Sequence, residues 1–291
     1  MMQFLFLNGA YLSADRAMIS PFDRGFLFAQ SAYEVTAVYN HQLIDFKAHT
    51  TRLSRTLEAL DIPNPYSLQA WETIHRELIQ RNDLREGLIY LQVSAGAYDE
   101  RDFAGPDTFT PTVFLFANSK PLITEPSKHG IKATTVADSR WSRRDLKTTQ
   151  LVSQALAYRE ARAAGCDTAI MIEDDHVTEA ASASVFIVDA DGTLRTRDLS
   201  TALLHSITRE RSLSLLAANG LNVVEGSFRK SVLEQAVEVF TTSAGALIAP
   251  VVEIDGVPVG DGLPGPVTRQ VQRLYYQHIG VEVDALDWLT V

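Results

Sequence analysis

Hydrophobic residues in the first third of the chain recur with two periods, one typical of helices and one of strands. A spacing of four and three residues predicts an amphipathic helix whose buried face is formed by Leu53, Leu57 and Leu60. Ser67 is a good N-cap for a second helix, and the buried stripe of that helix is predicted to be Trp71, Ile74 and Leu78. Pro63 and Pro65 separate the two helices.

Strand-like segments surround these helices. Asn8-Gly9 is a strong two-residue hairpin signal between Phe4–Leu7 and residues 11–12. A second hairpin is predicted where residues 33–39 meet residues 43–46 across Asn40-His41. Two more apolar runs, at 88–93 and 113–116, read as strands.

The composition changes at residues 119–130, which are mostly polar and contain two prolines, as is typical of a linker. Beyond it, strands are predicted at 131–136, 168–173, 185–188 and 237–241. Helices are predicted at 150–164, 206–219 and 266–278, the first two ending at Gly165 and Gly220. We therefore predict an α+β protein with a small N-terminal α/β domain (1–118), an interdomain linker (119–130) and a larger C-terminal mixed α/β domain (131–291).

Composition narrows the possible functions. The 291 residues carry a net charge of −10, which argues against a nucleic-acid partner. No stretch approaches the roughly 20 apolar residues that span a bilayer. The one cysteine, Cys166, allows no intrachain disulfide and is most simply a small buried hydrophobe. We expect a cytoplasmic protein that binds neither nucleic acid nor membrane.

Candidate chemistry is weak when each motif is taken alone. Ser206-Ile207-Thr208-Arg209 opens a helix, and Thr242-Ser243-Ala244-Gly245 ends a strand, so either place suits a phosphate group. Each is more commonly an ordinary cap or turn. Single charged residues such as Lys147, Glu179 and Arg52 are usually surface or turn residues. The seven histidines show no metal-ligand spacing, so we predict no metal site.

Taken in order, however, these segments resemble the fold-type IV pyridoxal-phosphate family, with D-amino-acid transaminases the most similar members. The resemblance runs from about Asn8 to Gly262. Its motifs are Asp23-Arg24-Gly25-Phe26-Leu27-Phe28, Ala32-Tyr33-Glu34-Val35, Arg52-Leu53, Arg140-Trp141-Ser142-Arg143-Arg144-Asp145-Leu146-Lys147, Val177-Thr178-Glu179, Ile207-Thr208-Arg209 and Thr242-Ser243-Ala244-Gly245.

The resemblance implies a role for each matched residue in binding pyridoxal 5'-phosphate. Lys147 would form a Schiff base with the cofactor aldehyde and later move the substrate α-proton. Glu179 would keep the pyridine nitrogen protonated. Leu204 would pack on the cofactor ring. The phosphate would be held by Arg52, Ile207, Thr208, Ser243 and Ala244.

The substrate residues match the family less well. Tyr33 occupies the family's substrate tyrosine position. Arg101 matches the substrate arginine only if one residue is inserted, and Phe103 then stands where the family has a histidine. Because the family takes this loop from a partner subunit, the resemblance also implies a homodimer.

The reaction implied first is transamination between a D-amino acid, such as D-alanine or D-glutamate, and a 2-oxo acid. An (R)-selective primary amine transaminase is the next hypothesis, because the carboxylate site is incomplete. Branched-chain transaminase and aminodeoxychorismate lyase follow. A non-catalytic pyridoxal-phosphate-binding protein is the hypothesis from a different class.

Overall fold

The computed structural model describes residues 4–289, which form two compact units. The N-terminal unit contains the chain up to Pro121 together with the short segment Leu146–Gln150. The C-terminal unit contains Leu122–Asp145 and the chain from Leu151 onwards. Both units combine helices with a sheet, so the α+β prediction is confirmed.

The N-terminal unit is built on an antiparallel sheet. Its strands are β1 Phe4–Leu7, β2 Ala10–Ser13, β3 Ser31–Tyr39, β4 Gln42–Leu43, β5 Glu86–Ser94 and β6 Thr112–Ser119, in the spatial order β2-β1-β6-β5-β3-β4. Asn8 and Gly9 both have positive φ, 46° and 92°, as a tight hairpin turn between right-twisted strands requires. The hairpin predicted at Asn8-Gly9 is therefore confirmed.

Three helices accompany this sheet: α1 Arg24–Phe28, α2 Phe46–Ala59 and α3 Leu68–Arg81. A 3₁₀ turn, Ala14–Arg16, follows β2. The Oγ of Ser67 accepts a hydrogen bond from the Ala70 N–H at 3.2 Å, which confirms the predicted N-cap of α3. The apolar faces predicted for α2 and α3 lie in the core of the unit, where Leu53, Leu57, Trp71 and Leu78 are fully buried.

The C-terminal unit contains a larger, mixed sheet. Its strands are β7 Ile131–Ala137, β8 Thr168–Glu173, β9 His176–Ala180, β10 Ser184–Val188, β11 Leu194–Thr196, β12 Val223–Glu225, β13 Glu238–Ser243, β14 Leu247–Ile254 and β15 Val257–Pro258. The spatial order is β12-β11-β10-β13-β14-β7-β8-β9, with β15 paired to β14. Pairing is parallel for β11–β12, β14–β7 and β7–β8 and antiparallel elsewhere.

Helices cover this sheet. They are α4 Glu125–His129, α5 Val152–Ala163, α6 Ile207–Ala218, α7 Lys230–Glu234 and α8 Pro266–His278, followed by 3₁₀ turns Val283–Ala285 and Asp287–Leu289. Helix α5 packs on β7 and β8, whereas α6 contacts both β13 and α8. No helix within residues 4–289 is long and apolar enough to cross a membrane.

Residues 119–130, predicted as a linker, contain regular structure. Ser119 ends β6, and α4 begins after Thr124, whose side chain forms a capping box with Ser127. A polar, proline-containing composition is typical of linkers, but it is also typical of helix N-termini. The sequence pattern did not distinguish the two.

The segment Leu146–Gln150 belongs to the N-terminal unit, although the sequence-based division put it in the C-terminal domain. It runs antiparallel to the start of β3, where Tyr33 N–H donates to the Lys147 carbonyl at 3.0 Å and Thr149 N–H to the Ser31 carbonyl at 3.1 Å. Strand β4 pairs only with the far end of β3, so this edge of β3 has free backbone groups. Residues 146–150 therefore join the N-terminal sheet because their backbone groups and those of β3 satisfy each other's hydrogen bonds.

His75 is a buried histidine within the N-terminal core. It lies on α3 with 1% of its surface exposed, its Nδ1 is 2.7 Å from the Trp71 carbonyl oxygen, and its ring packs against Phe46. Burial lowers its pKa from 6.5 to about 4, although the Trp71 carbonyl opposes the shift. His75 is therefore neutral in the folded protein.

We predict that His75 makes the protein acid-sensitive below pH 6.5. The unfolded chain takes up a proton on this residue below pH 6.5, whereas the folded chain does so only near pH 4. The free energy of unfolding should therefore fall by about 2 kcal/mol between pH 6.5 and pH 5. In urea unfolding, His75→Gln should flatten this fall, and His41→Gln, at an exposed site, should follow the wild type. Parallel curves for wild type and His75→Gln would contradict the assignment.

Candidate active site

Lys147 is held beside Tyr33 in the N-terminal unit. Its Nζ lies 4.0 Å from the centre of the Tyr33 ring, and its backbone N–H donates to the Thr56 hydroxyl at 3.3 Å. The side chain is half-buried and forms no ion pair within residues 4–289. An amine in such a position can react without first leaving an acidic partner.

Arg52 is fixed by a buried carboxylate on the neighbouring strand. Its Nε and Nη2 donate to Glu34 Oε1 and Oε2 at 2.7 and 2.8 Å, and His49 Nδ1 is hydrogen-bonded to Oε2 at 2.8 Å. Burial alone would raise the pKa of Glu34, but Arg52 and His49 outweigh burial and hold it far below its ordinary value. Glu34 is therefore ionised, and Arg52 is held by a two-point contact.

Glu179 is the corresponding buried acid of the C-terminal unit. It lies in β9, a strand that the sequence pattern did not predict, with 4% of its surface exposed. Its Oε1 accepts hydrogen bonds from Arg140 Nη1 and, at 3.1 Å, from the Leu204 N–H. Its Oε2 has no hydrogen-bond partner in the described part of the chain.

The charge on Glu179 is only partly balanced. Arg140 is shared with Asp138, which accepts from Arg140 Nε at 2.9 Å and Nη2 at 2.6 Å and from the Thr178 hydroxyl at 2.7 Å. Burial raises the pKa of Glu179, and Arg140 offsets this only in part. A further cationic or N–H group at Oε2 would stabilise the carboxylate.

The two candidate phosphate-binding segments belong to neighbouring elements of the C-terminal unit. Ile207 and Thr208 are the first residues of α6, where backbone N–H groups lack intrahelical partners, and Ser206 caps the helix through the Arg209 N–H. Ser243 ends β13, Ala244 follows in the turn, and β13 contacts α6.

Two buried hydroxyls lie next to these segments. Ser184 and Thr242 are directly opposite each other on β10 and β13, and both are almost fully buried. Neither hydroxyl has a hydrogen-bond partner among residues 4–289. Buried polar atoms without partners are rare in folded proteins, so these two hydroxyls are available to a water molecule or a polar ligand.

The substrate candidates Tyr33 and Arg101 lie in different surroundings. Tyr33 stacks on Tyr90, with ring centres 5.7 Å apart. The Nζ of Lys147 lies over the Tyr33 ring. Arg101 is exposed and lies against the rings of Phe28 and Phe103. No contact joins Arg101 to Tyr33 within the N-terminal unit as described.

Residues 4–289 contain no group of three His, Cys, Asp or Glu side chains placed to hold a metal ion. Cys166 lies in the loop between α5 and β8, where its partly buried side chain packs against an apolar cluster that includes Ala157 and Met171.

The comparison with known families decides the class of protein. The family model described as amino-transferase class IV matches residues 31–254. The chain belongs to the class IV aminotransferase family. The predicted resemblance, the aminotransferase class and the pyridoxal-phosphate cofactor are thereby confirmed.

Individual relatives are similar in sequence to nearly the whole chain. The D-alanine aminotransferase of Staphylococcus haemolyticus is 32% identical over 276 residues, covering 94% of this chain and 97% of the relative. That of Bacillus licheniformis is 34% identical over 267 residues, covering 91% and 93%. The branched-chain amino acid aminotransferase of Escherichia coli is 23% identical, with a TM-score of 0.88 over 95% of this chain and 94% of the other. That structural likeness shows the fold.

The residues of this class IV aminotransferase fit pyridoxal phosphate. A positively charged pyridinium suits the unpaired Oε2 of Glu179, and an aldehyde suits the amine of Lys147. A phosphate suits the free N–H groups at the start of α6, and the unpartnered hydroxyls of Ser184 and Thr242 provide further polar contacts.

Sequence reasoning did not single out Glu34, His49 or Arg140. Glu34 carried a signal, since it is a charged residue in the middle of an otherwise apolar strand. Arg140 is the first residue of the family motif that ends at Lys147, but nothing in that motif indicated that Arg140 would contact Glu179.

We predict that the ion pair between Glu34 and Arg52 is needed for the stability of the folded protein. Glu34→Ala leaves a buried guanidinium without its acid and should lower the free energy of unfolding by about 3–5 kcal/mol. Glu72→Ala is the matched control, because Glu72 forms an exposed ion pair with Arg76 and should cost less than about 1 kcal/mol. Urea unfolding measures both, and equal losses would show that Arg52 does not depend on Glu34.

Proposed function

We propose that this aminotransferase exchanges the amino group of a D-amino acid, such as D-alanine or D-glutamate, with the keto group of a 2-oxo acid. The observation that carries the proposal is Lys147, whose half-buried amine lies over the Tyr33 ring and has no acidic partner in the described chain. The two relatives at 32% and 34% identity, both D-alanine aminotransferases, support the substrate class.

The site residues would divide the binding of the cofactor among them. Lys147 would hold it covalently, Glu179 would face its pyridine nitrogen, and Leu204 would pack on its ring. The phosphate would be bound by Arg52, Ile207, Thr208, Ser243 and Ala244. When bound, pyridoxal phosphate takes up the electron pair released at the substrate Cα.

Lys147 would act as the base and acid of the reaction. Its Nζ amine, when not bound to the cofactor, would accept the α-proton of the substrate and give it up again. The hydrogen bonds from Tyr33 N–H to the Lys147 carbonyl and from Lys147 N–H to Thr56 fix the backbone of the lysine. The side chain can therefore leave and return to the same place.

Glu179 would hold a proton on the pyridine nitrogen. Arg140 and the Leu204 N–H orient the carboxylate through Oε1, which leaves Oε2 for the protonated nitrogen. Because the site is buried, an ion pair there is stronger than in water.

A second candidate is an (R)-selective primary amine transaminase. The observation that favours it is Phe103, an apolar residue at the position where the resemblance predicts a histidine for the carboxylate. Without that donor, a substrate that lacks a carboxylate loses less binding energy.

We predict that D-alanine converts the bound cofactor to its amine form. The purified protein loaded with pyridoxal phosphate should lose its visible absorbance when D-alanine is added and regain it with a 2-oxo acid. L-alanine should have little effect. Lys147→Ala should abolish turnover, and Lys132→Ala, at an exposed site, should retain it.

Two results would contradict this proposal. A visible band that no amino donor changes would indicate a pyridoxal-phosphate-binding protein without turnover. Conversion by (R)-phenylethylamine in preference to D-alanine would select the amine transaminase.

We also propose a homodimer. The N-terminal unit exposes large apolar side chains, with Met18 at 85% and Phe26 at 77% exposure, next to a cavity of about 460 Å³ lined in part by Ile19 and Phe26. Several exposed apolar side chains within one short segment, residues 18–26, are typical of a protein interface, and the family resemblance implies a partner subunit of the same chain.

The dimer gives a direct test. Phe26→Asp should shift the protein to monomers in light scattering, because it puts a charge into the apolar interface. Leu68→Asp, at an exposed leucine in α3, should remain dimeric. A wild-type protein that is monomeric and fully active would overturn the proposal.

A cytoplasmic location is proposed as well. The sequence has one cysteine and therefore no intrachain disulfide, a composition typical of reducing compartments.

A further inference from the structure

Two arginines and three phenylalanines stack on one another in the N-terminal unit. The Arg24 guanidinium lies 4.8 Å from the Phe28 ring centre and 5.4 Å from that of Phe109. The Arg101 guanidinium lies 5.3 Å from Phe28 and 5.2 Å from Phe103, and the Phe28 and Phe103 rings are themselves 5.1 Å apart. Phe28 is thus shared by both arginines. We call these five residues the arginine–phenylalanine stack.

Arg24 is the buried end of the stack and fixes the loop that carries Arg101. Only 3% of Arg24 is exposed, and its Nε donates to Gln30 Oε1 at 2.7 Å. Its Nη1 and Nη2 donate to the carbonyls of Asp102 and Phe103 at 2.5 and 2.7 Å. The two residues that follow Arg101 are therefore held to the body of the unit through their backbone.

The loop is folded closely around Arg24. The Asp102 carboxylate accepts hydrogen bonds from the N–H groups of Ala104 and Gly105, which closes a turn. Gly105 has φ +72°, and a Cβ there would lie 3.1 Å from Arg24 Cζ and 3.0 Å from the Phe109 ring. A larger residue would push the loop away from Arg24.

Arg101 is the exposed end of the stack, and its charge is not balanced by an acid. No carboxylate within residues 4–289 pairs with it. Aromatic rings contact the face of a guanidinium, whereas carboxylates bind its N–H edges. The contacts with Phe28 and Phe103 therefore orient Arg101 and leave its donors available to an anion.

We propose that Phe28 and Phe103 are positioning residues that hold the Arg101 guanidinium for the substrate carboxylate, with Arg24 fixing the loop behind it. Phe103 cannot donate a hydrogen bond to the carboxylate as a histidine would, and it acts on the substrate only through Arg101. This inference rests on the proposed function, because it takes a carboxylate-bearing substrate as the anion.

The test uses variants of the two rings in the full-length holoenzyme. Phe28→Leu and Phe103→Leu remove the ring faces, whereas Phe28→Tyr and Phe103→Tyr keep them. Propionate serves as a binding probe, since it carries a carboxylate but no amine and cannot react. Its Kd is measured by calorimetry, and KM and kcat are measured with D-alanine.

Each leucine variant should raise the Kd of propionate and the KM of D-alanine by about two- to fivefold, with kcat within about twofold of wild type. The tyrosine variants should stay close to wild type. Phe22→Leu is the control, because Phe22 is also exposed and, within residues 4–289, its ring forms no cation–π contact with Arg24 or Arg101. Arg101→Ala should raise the Kd of propionate by about tenfold or more.

The outcomes separate the two proposals. If Arg101→Ala weakens propionate binding but the leucine variants do not, the stack has no positioning role. If Arg101→Ala leaves propionate binding unchanged, or wild type does not bind propionate, the stack proposal also falls. If the expected pattern appears with propionate but wild type does not act on D-alanine, the stack stands and the proposed reaction fails.

Discussion

Backbone hydrogen bonds between Leu146–Gln150 and the start of β3 determine where Lys147 lies. Tyr33 N–H donates to the Lys147 carbonyl, and Thr149 N–H donates to the Ser31 carbonyl. Side chains on paired strands are placed by register, so this pairing puts Lys147 over the ring of Tyr33. The same strand carries Glu34, whose side chain holds Arg52. Strand β3 thus positions Tyr33 itself, Lys147 through backbone hydrogen bonds and Arg52 through Glu34.

Two buried glutamates, each paired with an arginine, have pKa values shifted in opposite directions. Both oxygens of Glu34 are occupied, by Arg52 and His49, and its pKa is depressed despite burial. Glu179 uses one oxygen, its arginine is shared with Asp138, and burial raises its pKa. A fully paired carboxylate is structural, whereas a partly paired one still gains from another cation. Pairing, more than burial, therefore distinguishes the supporting acid from the one suited to a cofactor.

The sequence predicted the elements that carry their own local signals. The Ser67 and Ser206 caps and the leucine face of α2 depend on residues a few positions apart, and all three are confirmed. Strand β14 was not predicted because Pro250 interrupts its apolar run, and a proline within a run weakens a strand prediction.

The predicted site depended on a different kind of information. The pairing of residues 146–150 with β3 joins segments more than a hundred positions apart, so no local pattern indicates it. The family resemblance indicated that Lys147 and Tyr33 share a site, but it did not indicate which backbone bonds place them together. The sequence likewise did not predict the ring contacts of Arg101, because Phe28 lies more than 70 positions from Arg101 and Phe103.

Arg52, Arg140 and Arg101 are held in two physically different ways. Arg52 and Arg140 are buried and bound through their N–H edges by carboxylates, since an unpaired buried charge costs several kcal/mol. Arg101 is exposed, so its charge is solvated and needs no acid. A carboxylate partner would occupy the donors that the proposed binding of a substrate carboxylate requires, and it would reduce the attraction for that anion in a chain of net charge −10. Ring faces avoid both effects, because they restrict the guanidinium while leaving its charge and its N–H edges unused.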